Sequence, residues 1–296
     1  MGAIALGLVP ALGWGLQSIV MQKVGGTFAN KQMGLVLAAL LFGVVSLALH
    51  PVALTPQVAA AGILSGAPWA IAQTLAIKSY DYLGVSRAMP VITALQLTFV
   101  SIAGAVLFGE WASVRAVALG VVAIALVAGG AALTAWQERP EGAKDAHRGI
   151  ALLLLATVGY VAYAVAPRYF DVDGLAILFP QSAVMFVTSL VAALAVNATL
   201  RRRGGLRPGE GALGAKSWQN MSAVLCFAVA NVTVIFSNQL NGVAMGWTLS
   251  MMNVIVASLG GIFLLHEEKT PRERRLLFAG VALVAAGCVV MGLTKL

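Results

Sequence analysis

The chain has 296 residues, 60% hydrophobic and only 10% charged, with a mean hydropathy of +0.90, which excludes an ordinary soluble domain. Its net charge of +8 and pI near 9.9 raise nucleic acid as a partner. The basic residues form no clustered face interleaved with aromatics, however, so that class is set aside.

A helix crossing roughly 30 Å of hydrocarbon needs about 20 apolar residues. The sequence predicts ten such spans, at 2–22, 31–49, 57–77, 86–108, 113–134, 149–167, 174–199, 217–238, 243–265 and 274–294. The first follows the initiator methionine without a basic n-region or an A-x-A site, and is expected to be retained rather than cleaved. In span four, Pro90 is expected in the first helical turn, where its missing N–H costs little. The gaps 135–148 (AWQERPEGAKDAHR) and 200–216 are too short and too rich in Gly and charge to fold alone, and read as loops. Cys226 and Cys288 fall inside spans eight and ten, which gives no disulfide framework and no metal spacing. No metal site and no cofactor are expected.

The basic residues explain themselves as a topology signal. Loops after odd-numbered spans, with the residues at their edges, hold 16 of the 19 Lys and Arg, Lys23, Lys31 and Arg201 among them. The other side keeps Arg115, Arg168 and Lys295. By the positive-inside rule the first set is cytoplasmic, which places both termini on the non-cytoplasmic side of a multi-pass protein of the cell membrane.

Five duplicated spans would insert upside down in their second copy, giving inverted repeats. Laid without a gap on 242–267, residues 85–110 pair Thr93 with Ser250, Gln96 with Asn253, Ser101 with Ser258, Gly104 with Gly261 and Glu110 with Glu267. Gly13-Trp14 matches Gly159-Tyr160, and Trp69 and Gln73 match Phe227 and Asn231. The expected fold is therefore an all-α integral membrane protein of ten transmembrane helices in two inverted five-helix repeats. The first repeat covers 1–134, a cytoplasmic linker 135–148, and the second repeat 149–296. Glu110 and Glu267 would sit at opposite faces. Each either pairs with a neighbouring charge, Arg115 for Glu110 and Lys269 or Arg272 for Glu267, or acts as a gate or proton site.

Inside the spans the polar residues are amides and hydroxyls, and no ionisable group lies at the midplane, where ion pumps and proton relays usually place one. Each buried amide costs several kcal/mol, roughly, if unsatisfied in hydrocarbon, so these groups must pair or line a wet cavity. Helical spacing puts Trp14 and Gln17 on one face of span one, and Trp69 and Gln73 on one face of span three. Thr93 and Gln96 share a face in span four, and Ser250 and Asn253 do so in span nine. With Tyr160, Gln181 and Asn231, these eleven are the candidate substrate-binding residues. Tyr163 and Trp247 fall on or near the same faces. Indole rings beside amides suit a neutral sugar, whose C–H face stacks while its hydroxyls meet donor and acceptor together.

Several segments also resemble a known family: "PALGWG" at 10–15, "KVGG" at 23–26, "GVSRAMPVITALQL" at 84–97, "FGEW" at 108–111, "DVDG" at 171–174, "PQ" at 180–181 and "LGGIFLLHEEKT" at 259–270. Together they resemble the glucose/ribose porter family of the drug/metabolite transporter superfamily, which includes bacterial glucose uptake proteins. The resemblance implies a drug/metabolite-transporter-like fold, alternating access, and uptake of a monosaccharide with protons. Trp14, Lys23, Gln73, Pro90, Thr93, Gln96, Glu110, Gln181 and Glu267 match the family pattern, and Lys23, Glu110 and Glu267 are the candidates for gating or coupling. The chain departs from the pattern at Met251, Asn253 and His266, which leaves open which sugar is carried.

The expected function is thus a secondary transporter taking up a neutral monosaccharide, glucose first and ribose or another sugar second, with the sugar, protons and the lipid bilayer as its partners. Export of small metabolites or drugs is the alternative. An intramembrane enzyme is poorly supported, since His50, His147 and His266 are scattered without partners at catalytic spacing. A uniporter fits the bare sequence as well as a proton symporter, and the oligomeric state is left open.

Overall fold

The computed structural model describes residues 2–83, 85–134, 136, 138, 145–223, 225–264 and 270–294. Among these residues all regular structure is helix, with no strand, as it must be if backbone N–H and C=O groups in hydrocarbon are to be paired within their own segment. The helices are α1 (Gly2–Val24), α2 (Phe28–Leu49), α3 (Pro56–Lys78), α4 (Tyr80–Leu83), α5 (Val85–Phe108), α6 (Val114–Thr134), α7 (Ala146–Tyr169), α8 (Gly174–Arg202), α9 (Ala215–Ala223), α10 (Leu225–Asn241), α11 (Val243–Ser250), α12 (Asn253–Leu264) and α13 (Pro271–Leu293). Eight are long and apolar enough to cross a membrane, or nine if the bent pair α9–α10 counts as one span. This is a multi-pass membrane architecture.

Helix starts are written locally. Thr27 and Asn30 form a capping box at α2, and Thr270 and Glu273 form another at α13. Thr55 caps α3 with Pro56 behind it, where the missing N–H would be unpaired anyway. Asp173 accepts hydrogen bonds from the Leu175 and Ala176 amides at the start of α8, 2.8 and 3.3 Å away.

Three sequence expectations need correction. The predicted span 217–238 is two helices that meet at 55° between Ala215–Ser222 and Leu225–Asn241. The predicted span 243–265 is broken at Met251 and Met252. There the ladder tightens to i→i−3 bonds, with Met252 N–H to the Leu249 carbonyl, Val254 to Met251 and Ile255 to Met252. A 3₁₀ tightening inside a helix often marks a hinge or a strained sequence. Pro90 is the sixth residue of α5, beyond the first turn. Its side chain, and those of Arg87, Ser258 and Gly261, lie outside the described residues, as do His266, Glu267 and Lys269 entirely.

The packing partners form a regular pattern. α1 packs on α10, α11 and α12; α3 packs on α7 and α8; α5 packs on α6, α7 and α11; α2 packs on α8, α9 and α10; and α6 packs on α13. Small residues set the closest seams. A Cβ added to Gly13 of α1 would meet the Cys226 carbonyl of α10 at 2.5 Å and the Ala230 Cβ at 2.7 Å. One added to Gly159 of α7 would press on the Pro68 carbonyl of α3 and meet the Ala72 Cβ at 2.9 Å. Gly130 of α6 and Gly280 of α13 face each other in the same way, each carbonyl against the other residue.

The main core lies between these helices. Leu97 and Val100 of α5, Leu153 of α7, Ile177 and Met185 of α8, and Met33 and Val36 of α2 are fully buried there. Ile63, Ile71, Leu155 and Val158 face outward, as a lipid-facing surface requires.

Candidate functional site

The centre of the molecule is built from rings. Trp14 of α1 meets Trp247 of α11 edge to face, with centroids 5.7 Å apart, and Trp247 meets Tyr163 of α7 at 6.0 Å. Tyr163 lies 6.3 Å from Trp69 of α3, whose ring in turn lies 5.5 Å from Phe227 of α10. Five aromatic side chains from five helices thus form one continuous path, with geometries favoured by ring quadrupoles.

A polar circuit runs beside the path. The Tyr163 hydroxyl donates to Asn231 Oδ1, Asn231 Nδ2 donates to Gln181 Oε1 at 3.3 Å, and Gln181 Nε2 donates to Ser65 Oγ. Ser65 Oγ then donates to the Tyr163 backbone carbonyl at 3.1 Å, closing the loop on the residue where it began. α3, α7, α8 and α10 are joined by it, and each amide has its partners, which a buried amide in hydrocarbon demands. A second pair links α3 to α7, where the Tyr160 hydroxyl donates to Gln73 Oε1 at 2.6 Å. Further out, Gln32 of α2 donates to Ser189 Oγ of α8 at 2.9 Å and to the Ala70 carbonyl of α3 at 3.3 Å.

The predicted residues therefore separate. Trp14, Trp69, Gln181 and Asn231 belong to the ring path or its polar circuit, and Gln73 and Tyr160 bond each other. Thr93 is buried and Gln96 half-buried on α5, which packs against the helices carrying Tyr163 and Trp247. Gln96 has no hydrogen-bond partner among the described residues. Ser250 is buried and its hydroxyl is spent on the Trp247 carbonyl at 2.6 Å. Asn253 opens α12 just beyond the break, and its Oδ1 is buried without a partner, as is Oε1 of Gln17. Ser65 was not singled out by the sequence, because a serine in an apolar helix gives no signal until its partner is known. Tyr163 and Trp247, noted only as neighbours of the site, are central to it.

Of the coupling candidates, Lys23 is exposed in the last turn of α1. Glu110 is nearly buried and does not pair with Arg115. Its Oε1 accepts from the guanidinium of Arg168 and from the Val243 amide at 2.6 Å, and its Oε2 accepts from the Ala244 amide at 2.8 Å. The carboxylate thus caps α11, compensating the unpaired N–H groups and positive dipole of that helix start. Gly242, at φ +83°, makes the turn from α10 into α11 and lies against the carboxylate, where an added Cβ would be 2.9 Å from it. Arg168 also lies over the Phe108 ring, 4.4 Å from its centroid.

Comparison with known proteins places this architecture. A family model described as sugar transport protein matches residues 5–294. A "Probable glucose uptake protein" of Bacillus anthracis is 33% identical over 296 residues, covering 99% of both chains. A "Putative ribose uptake protein" of Staphylococcus epidermidis is 32% identical over 287 residues, covering 95% of both. A solved crystal structure only 17% identical to the chain matches 99% of both chains with a TM-score of 0.73, and so shares its fold. With a family match running almost end to end and relatives above 30% identity over their full length, this chain belongs to the sugar transport protein family.

Proposed function

We propose that the protein is a secondary transporter that takes up an uncharged monosaccharide across the bacterial cell membrane by alternating access. The observation that carries this reading is that, among the described residues, no fully buried side chain carries a charge. Where α1, α3, α7, α8, α10 and α11 meet, the polar groups are amides, hydroxyls and indoles, and the Glu110–Arg168 pair is held at the far end of α5. Such a surface recognises hydroxyls without charge. The glucose and ribose uptake named for its relatives is the same chemistry.

Alternating access fits a ten-span chain of two inverted repeats, 1–134 and 149–296, joined by a cytoplasmic linker at 135–148. In this reading α9–α10 and α11–α12 are the eighth and ninth spans. Exchanging spans one to five with six to ten then maps the largest packing seams onto one another or onto themselves. The seam of α1 with α10 becomes that of α7 with α3, and α6 with α13 maps to itself. The Gly13 seam maps onto the Gly159 seam, with Cys226 and Ala230 in place of Pro68 and Ala72. Both termini then lie outside the cytoplasm, by the distribution of Lys and Arg.

The test is uptake of labelled glucose, ribose and other neutral sugars into proteoliposomes, with and without an imposed pH gradient. At least one sugar is expected to enter saturably, and stimulation by an inward proton gradient would make the protein a symporter rather than a uniporter. If no sugar enters or competes, the reading fails.

A further inference from the structure

The buried polar groups of the interior fall into two classes, and the difference locates the sugar. Ser65, Gln181, Asn231 and the Tyr163 hydroxyl bond one another. They are a scaffold that fixes four helices. Elsewhere, ten buried side-chain N or O atoms have no partner among the described residues. Four of these ten lie on two facing elements: Trp14 Nε1 and Gln17 Oε1 on α1, and Trp247 Nε1 and Asn253 Oδ1 on either side of the break between α11 and α12.

These elements touch. Trp14 and Trp247 meet edge to face, and Gly15 lets the backbone of α1 close on Val256 and on the Asn253 carbonyl, which an added Cβ would meet at 3.2 Å. Trp247 is only 2% exposed, so its indole N–H has neither protein nor bulk water to donate to. A buried indole N–H usually finds a partner, and a buried amide oxygen left unpaired is expensive. The unsatisfied groups on these two touching elements, two donors and two acceptors, are the complement of hydroxyl groups, each of which both donates and accepts. The seam also sits at the break between α11 and α12, and non-helical backbone at membrane depth is tolerated where it is buried in protein or lines a cavity.

Resting on the sugar-transport reading, we propose that the seam between α1 and the α11–α12 break is the hydroxyl-binding subsite. Trp14 and Trp247 donate to sugar oxygens, and Gln17 and Asn253 accept from sugar hydroxyls. The ligand is a free neutral sugar. No charged side chain is among these four groups, so a sugar phosphate or amino sugar finds no counter-charge there.

The test uses Trp247→Phe, Asn253→Ala and, as a scaffold control, Gln181→Leu, in the full-length protein in proteoliposomes. Because Trp247 Nε1 and Asn253 Oδ1 bond nothing among the described residues, Asn253→Ala is expected to melt at or above the wild-type temperature. Trp247→Phe, which also gives up ring contacts with Trp14 and Tyr163, is expected to melt slightly below it. KM for the transported sugar is expected to rise about tenfold in each, the loss of one hydrogen bond. Single-deoxy sugars make the contact specific. The deoxy analogue that weakens wild-type uptake most is expected to cost Trp247→Phe or Asn253→Ala nothing further. Glucose 6-phosphate is expected not to compete. If the wild type carries no sugar, the transport reading fails and this subsite with it. If the wild type transports but both variants keep its KM for every sugar, or both fail to fold, the subsite is overturned and the transport reading stands.

Discussion

Glu110 and Arg168, 58 residues apart in sequence, are joined carboxylate to guanidinium, and the same carboxylate caps the first two amides of α11. The end of α5, the end of α7 and the start of α11 are thereby tied at one point. The two partners are not equivalent. Without Arg168, Glu110 still has two amides and a helix dipole. Without Glu110, a partly buried guanidinium and a helix start lose their partner together. Glu110→Ala is therefore expected to destabilise by about 3 kcal/mol and Arg168→Ala by about 1 kcal/mol. Thermal melts of the purified protein in detergent measure both, and equal losses would contradict the capping role.

Gly13 and Gly159 predict a matched pair of effects. Each brings its helix against a backbone carbonyl of a neighbour, of Cys226 and of Pro68, and a carbonyl cannot rotate out of the way as a side chain end can. Gly13→Ala and Gly159→Ala are each expected to cost about 1–3 kcal/mol, and by similar amounts if the two seams are repeats of one another. Gly129→Ala on α6 has open space within 4 Å. It is expected to be neutral, or to gain up to about 1 kcal/mol from helix propensity. The same melting assay ranks all three.

The circuit through Tyr163, Asn231 and Gln181 is expected to behave as a unit. Tyr163→Phe leaves Asn231 Oδ1 without its donor, which costs about 1 kcal/mol by the scale of hydrogen bonds within membranes. Asn231→Leu removes the acceptor as well as the bond to Gln181. In a double-mutant cycle the pair of changes is expected to cost less than the sum of the single ones, because an orphaned partner is removed with the bond. Strict additivity in denaturation midpoints would show that the circuit carries no coupling.

How much of this was legible in the sequence varies with the kind of interaction. Length and hydropathy located most of the spans within a few residues, since hydrocarbon thickness fixes helix length. The break at Met251 and Met252 was invisible, because neither residue is a helix breaker and the flanking residues are as apolar as any span. The capping box of Thr270 and Glu273 is local in sequence, three residues apart. The partner of Glu110 was not: sequence proximity favoured Arg115, whereas the fold brings in Arg168. The faces of the helices were read only by their polar residues, since lipid-facing and core-facing positions are equally apolar. That is why Trp14, Gln181 and Asn231 stood out in the sequence while Ser65, a small hydroxyl among apolar neighbours, did not.

Gln96 gives the sharpest separation of structure from function. It is half-buried on α5, between helices that carry Tyr163 and Trp247, and among the described residues nothing bonds its amide. An amide at that depth is tolerated in hydrocarbon only if some other state or ligand satisfies it. Gln96→Ala therefore removes no bond that holds the fold, and its melting temperature is expected to match the wild type, in contrast to a change in the Gln181 circuit. Saturable sugar uptake in proteoliposomes is expected to be lost, because α5 carries no other amide. Gln96→Asn, which retains the amide one methylene shorter, is expected to recover part of the uptake with a raised KM. Wild-type uptake by Gln96→Ala would remove this residue from the substrate path and leave its amide without a role in transport.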